Sequence, residues 1–264
     1  MKRVCKGSPP ETLIEFIMGY PDATWEQMCD ENTHAANDCR VNAVHDQCGL
    51  CAYCERKISS DDPLHRRIEH FHPKSDKAGS HNWGLDWVNM LAVCDGGSRR
   101  SPKEGTYYPL PGNLSCDEHK NHMINKKKLH SDCEGYVLNP LDVPPFPNLF
   151  TLDMSTGYLK PDEDACAAVE VRENAYNTTA ELVSNTIDIL NLNCDRLAEK
   201  RRRLIWNINR NIKTLRDYKV PPSEMHGKLV DRYFKSKWPE FFTTIRCCLG
   251  SAAEEFLLYT NYVG

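Results

Sequence analysis

Apolar residues Leu13, Phe16 and Ile17 recur at helical spacing behind Pro9-Pro10 and stop at Pro21, which predicts a first helix. Thr24 followed three residues later by Gln27 is a capping-box pattern, and it opens a second helical run through Trp25, Met28, Cys29, Asn32 and Ala36. Residues 1–40 therefore read as a helical lead-in. From about Val41 to Tyr136 the periodicity fades while Cys, His, Gly and Trp become dense, which is how small metal-stapled segments read. Within it, residues 95–115 are rich in Gly, Pro and Ser and predict a long loop.

Short strands are expected at Tyr136-Val137-Leu138, Leu149–Asp153 and Ser155–Leu159, with the proline-rich connector 140–147 between the first two. After Pro161 the pattern turns helical. Ala175–Leu190 forms one run, and Leu197–Leu215 a second with apolar residues at 197, 204, 205, 208, 212 and 215. A last helical pair follows Pro221-Pro222 and includes Leu229, Phe234, Trp238, Phe242 and Ile245. The expected fold class is α+β, mainly helical, in three segments: 1–40, 41–136 and 137–264.

Composition narrows the function classes. The 264 residues are 40% hydrophobic and 27% charged, as in ordinary globular chains. No apolar run approaches eighteen residues and the first residues lack the apolar core of a signal peptide, so a cytoplasmic protein without a membrane partner is expected. Thirteen cysteines is an odd number and favours metal binding or burial over a disulfide framework. A net charge of −4 excludes a protein that coats nucleic acid by bulk electrostatics, so any such contact must be regional. The basic face of residues 196–217, eight Lys/Arg including Arg201, Arg202 and Arg203 against Glu199 and Asp217, is one such region; it suits DNA or an acidic partner equally.

Cys51-Ala52-Tyr53-Cys54 has the spacing that lets two thiolates reach one tetrahedral ion at about 2.3 Å. Cys94 and Cys116, each beside a polar cluster, are the expected further ligands of a structural zinc, with Cys48 and Cys133 as fallbacks and unligated core cysteines as the plainer alternative. Between the pairs lie Glu69-His70-Phe71-His72-Pro73-Lys74-Ser75, then Trp83, Trp87, Asn89 and Leu91. Either histidine could be a packing residue, and the two tryptophans read as core.

The ordered blocks Cys-x-x-Cys, Glu-His-Phe-x-Pro-Lys-Ser, Trp-x-Asn-x-Leu-x-x-Cys and Cys-Asp-x-x-Lys, within residues 51–121, resemble the HNH or ββα-metal endonuclease motif. More narrowly the chain is similar to the PtuB-like nuclease subunit of Septu-type and retron-associated anti-phage systems, and residues 186–193 are similar to a recurring segment of that family. The resemblance implies a ββα-metal core and hydrolysis of nucleic acid, DNA ahead of RNA, with the choice between them left open. It implies His70 as general base, Asn89 as a brace for the loop and base, and Glu69 and Asp117 as ligands of Mg²⁺ or Mn²⁺, with Asn121 four residues on reaching the ion directly or through water. Glu69 stands where the wider class has Asp, which keeps the charge and lengthens the arm. Lys126, Lys127 and Lys128, with Lys120 and His122, read as a solvated face or a phosphate contact. A PtuA-like ATPase subunit, and the retron reverse transcriptase with its nucleic acid, are the partners implied. The 95–115 loop departs from the motif, and we expect it at the mouth of the site, where it would gate substrate. Two other classes compete: a zinc-stapled adaptor that binds nucleic acid or the ATPase without catalysis, and a thiol-redox protein in which Cys51 and Cys54 cycle.

Overall fold

Helix α1 (Glu11–Gly19) begins directly after Pro10 and buries Leu13 and Phe16. Helix α2 (Trp25–Glu31) has the capping box foreseen at Thr24 and Gln27, with both reciprocal hydrogen bonds formed. The run does not continue as one helix, however. Asn32 leaves helical backbone at φ −136°, ψ 70°, and its side-chain oxygen accepts the Ala35 N–H, so it ends α2 and caps α3 (Thr33–Asp46). Helix α3 continues past residue 40, the expected end of the lead-in. It buries Ala35, Ala36, Cys39 and Ala43, small residues that allow α1 and α2 to pack closely.

The computed structural model describes residues 1–58, 66–76, 78–99, 101–235 and 238–264. Strands β1 (Arg67–His70) and β2 (Met90–Val93) pair antiparallel, with Glu69 opposite Leu91 and His70 opposite Met90. Every residue of β2 is buried. Its outer edge is closed by Gln47, just past α3, which accepts the Ala92 N–H and donates to the Ala92 carbonyl at 2.8 and 2.7 Å, as a neighbouring strand would.

The 95–115 segment is not purely loop. Ser101 and Glu104 form a capping box that starts a short helix, α4 (Pro102–Tyr107); Arg100 lies outside the described residues. Helix α5 (Cys116–Asn125) follows. Tyr136–Leu138 forms only an isolated bridge, Glu134 to Val137. The second hairpin pairs β3 (Phe150–Leu152) with β4 (Leu159–Pro161); Ser155 and Thr156 belong to its turn, where their N–H groups donate to Asp153 Oδ1. The helical half comprises α6 (Glu163–Ala167), α7 (Thr179–Ile189), α8 (Asp195–Asp217), α9 (Pro222–Phe234), α10 (Phe242–Leu249) and α11 (Ser251–Tyr259). The expected last pair is thus a triplet, broken at Gly250, whose φ of +54° suits glycine.

The chain is α+β and mostly helical. One apolar cluster runs from Leu13 and Met28 through Tyr53, Leu91 and Phe150 to Leu182, Leu190 and Ile205, drawing on all three segments. A second joins the far half of α8 to α9–α11 through Ile208, Leu229, Phe234, Phe242 and Leu257. Each such side chain contributes about 1.5–3 kcal/mol by leaving water. Among the described residues, no helix is long and apolar enough to cross a membrane.

Candidate active site and cysteine metal centre

Cys51, Cys54, Cys94 and Cys116 come together in the core, all buried, with their sulfurs within 4.8 Å of one another. The closest separations are 3.7 Å (Cys54 to Cys94), 3.8 Å (Cys51 to Cys116) and 3.9 Å (Cys94 to Cys116). Four sulfurs about 2.3 Å from one tetrahedral ion stand about 3.8 Å apart, so the donor set and its spacing both fit such an ion. Cys48 is exposed and Cys133 donates its thiol to the Phe71 carbonyl at 3.4 Å; neither fallback joins the cluster. All thirteen cysteines are free.

The fourth cysteine is positioned from far along the chain. Its N–H donates to the Leu190 carbonyl at 2.7 Å, and Asn191 donates to the carbonyls of Gly112 and Leu114. Arg196 at the start of α8 is buried and donates to the Gly96 carbonyl and Ser115 Oγ, tying together the two ends of the 95–115 segment. Tyr108 donates to Glu199 at 2.6 Å. These contacts of the segment run to α8 and to residues 190–191.

Glu69, on β1, faces α5. Asp117, Lys120 and Asn121 share one face of that helix at spacings of three and four residues. Lys120 is buried and ion-paired with Glu69. Arg67, two residues before Glu69 and so on the same face of β1, pairs with Asp117 Oδ2 at 3.1 Å and with Glu118. Asn121 donates to Asp117 Oδ1 at 2.7 Å. Burial pushes the Glu69 carboxyl up to about 8; the ammonium of Lys120 opposes the rise and the Asp117 charge adds to it. Two buried carboxylates side by side form a hard-oxygen pair that a cation stabilises, so the residues present fit a divalent ion.

His70 follows Glu69 and points to the other face of the strand. Its ring sits edge-on against Trp25, centroids 5.3 Å apart, and Nε2 lies 3.0 Å from the Gly84 carbonyl. A carbonyl only accepts, so Nε2 carries the proton and Nδ1 has the lone pair. Burial, helped by the charge of Lys74, lowers His70 to about 4, which leaves the ring neutral near pH 7. Glu69, Asp117 and Asn121 are thus brought together; His70 makes no hydrogen bond to them. Asn89 ends a single 3-10 turn, Trp87–Asn89, and accepts the His72 N–H at 2.7 Å while donating to the carbonyls of His72 and Trp83 at 3.0 and 2.9 Å. It fastens both ends of the 72–89 connection.

Other expectations shift. Trp87 is core, its indole donating to the Gly7 carbonyl, but Trp83 is half-buried and stacks on His72. Arg201 is buried, donating to the carbonyls of Gly157 and Leu192, while Arg202 and Arg203 stay exposed. Lys120 is an interior ion-pair partner, unlike the exposed Lys126–Lys128. Its place three residues after Asp117 was the signal available. Nothing local marked Arg67.

No protein-family model matches the chain. It is 35% identical over 249 residues to the "Retron Ec83 putative HNH endonuclease" of Escherichia coli, covering 93% of this chain and 92% of that relative. With that similarity over nearly the whole length of both proteins, the chain belongs to the HNH endonucleases of retrons, a family of nucleases.

Proposed function

We propose that the chain is a metal-dependent endonuclease that hydrolyses phosphodiester bonds of nucleic acid, DNA before RNA, through a ββα-type arrangement of β1, β2 and α5. The carrying observation is the pair of buried carboxylates, Glu69 on β1 and Asp117 on α5, with His70 next to Glu69 in sequence and its tautomer already set by the Gly84 carbonyl. The four cysteines hold structural zinc, and Glu69 and Asp117, with Asn121, hold Mg²⁺ or Mn²⁺. A divalent ion there supplies charge to the phosphate and to the departing oxygen. His70 takes the proton of the attacking water at Nδ1, the Gly84 carbonyl holding its ring in place. Asn89 keeps the connection behind His70 in shape. Retron context supports a role in antiviral defence, with the retron reverse transcriptase and its nucleic acid, and a PtuA-like ATPase, as partners.

The test is cleavage of supercoiled DNA and of bulk RNA with Mg²⁺, with and without the neighbouring ATPase. Wild-type protein should cleave DNA and stop on chelation. His70→Ala should keep its fold and its zinc yet lose at least about a hundredfold in rate, the usual worth of a general base. Full cleavage by that variant sinks the assignment, and no cleavage by wild type under any of these conditions favours an adaptor.

A further inference from the structure

His72 lies outside the machinery above, yet both its ring nitrogens face carboxylates. Nε2 is 2.8 Å from Asp76 Oδ2, and Nδ1 is 3.0 Å from Glu134 Oε2. A neutral imidazole has one N–H, so it donates to one of these carboxylates and turns a lone pair toward the other. Asp132 adds a third donor: ligand atoms of His72, Asp132 and Glu134 all lie within 4.8 Å of one another. A lone pair on Nδ1 and two carboxylates converging in this way form a donor set that a cation can bind, in the place of the proton that otherwise bridges Nδ1 and Glu134.

The frame is built before any ion arrives. The His72 ring stacks on Trp83 at 3.9 Å between centroids, and Asn89 holds its backbone through both N–H and carbonyl. Opposite, Cys133 separates the two acids in sequence, is fully buried, and its thiol reaches back to the Phe71 carbonyl. The Glu134 N–H donates to Asp132 Oδ1 at 3.2 Å, which fixes the acids relative to each other.

We propose that His72 Nδ1, Asp132 and Glu134 form a further divalent-cation site, with Asp76 accepting the Nε2–H hydrogen bond as the outer carboxylate that orients a ligating histidine. The imidazole favours Mn²⁺ or Zn²⁺ over Mg²⁺, and the two carboxylates balance the charge. Three protein ligands leave positions for water. The ion ties the connection after His70 to the segment after α5, bracing the nuclease site without contributing a group to the reaction. It stands whether or not Glu69 and Asp117 hold an ion of their own.

The experiment is a Mn²⁺ titration of the full-length, zinc-containing protein, reading free Mn²⁺ by electron paramagnetic resonance. The Glu69→Gln/Asp117→Asn variant should retain one Mn²⁺ equivalent, which Zn²⁺ displaces and a tenfold excess of Mg²⁺ does not. Adding Asp132→Asn and Glu134→Gln, both outside the core, should abolish it. Asp76→Asn removes no ligand and should weaken binding roughly tenfold or more, as loss of a histidine's outer partner does. Absence of Mn²⁺ binding by the Glu69→Gln/Asp117→Asn variant with its zinc content and circular dichroism unchanged overturns the site, as does a Mn²⁺ stoichiometry that Asp132→Asn/Glu134→Gln alone leaves unchanged from wild type; unchanged affinity in Asp76→Asn overturns the orienting role.

Discussion

Lys120 shows what burial does to a single charge. On the surface its pairing with Glu69 would be worth under about 1 kcal/mol, but both side chains are buried, and removing either leaves the other charge uncompensated at a cost of about 3–5 kcal/mol. The ammonium thus opposes the neutralisation that burial imposes on the carboxyl. Asn89 works by geometry instead of charge. Asn89→Ala deletes three hydrogen bonds and leaves the His72 N–H and two carbonyls unpaired, so we expect a loss of about 2–4 kcal/mol in urea unfolding. Cleavage should fall with it under conditions where the variant is still folded. A variant with wild-type stability would mean that the connection holds its shape without the amide.

At the scale of elements, α5 and α8 divide their charges by face. On α5 Asp117 and Lys120 turn toward β1 while Asn121, hydrogen-bonded to Asp117, is exposed and Lys126–Lys128 stay in solvent just beyond its end. On α8 the basic run splits: Arg201 turns inward to cap the carbonyls of Gly157 and Leu192, and Arg202 and Arg203 turn out. Arg201→Met should destabilise by about 3 kcal/mol, since charge-assisted hydrogen bonds are lost and buried carbonyls are orphaned. Arg203→Met, which loses only a solvent-exposed pairing with Glu199, should leave stability essentially unchanged. Thermal unfolding of the two variants checks the contrast, and equal effects would contradict the inward placement of Arg201. Arg202, Arg203, Trp206 and Arg210 form an exposed basic face of α8, where Arg210 lies 5.5 Å over the exposed Trp206 ring.

Across the whole molecule the four cysteines join segments that share no local structure. Cys51 and Cys54 follow α3, Cys94 follows β2, and Cys116 opens α5 against the end of α7. Binding free energy at such a centre is folding free energy, about 10–16 kcal/mol for structural zinc in small peptides. Stripping the ion with a strong chelator should therefore lower Tm by roughly ten degrees or more, at about 2–4 °C per kcal/mol for a chain near this size. An unchanged Tm after measured metal loss would show the cluster to be an ordinary buried contact. The same centre marks how far the chain could be read directly. Cysteine spacing, the Glu-His and Cys-Asp blocks and the Thr24 capping box are local chemistry, and helix periodicity follows from which face must leave water. The break at Asn32, the short helix inside 95–115 and the third helix after Pro221-Pro222 were less legible, because propensity there is balanced by caps and by packing partners distant in sequence. By itself the sequence determined the kinds of group and their order: four thiols, two acids, a histidine and an amide. Only the tertiary structure decided that residues 190–191 and Arg196 place the fourth sulfur, that Lys120 and Arg201 turn inward, and that His72 sits between carboxylates from both sides. Each of these depends on which desolvated groups meet across the core, and no local pattern encodes that.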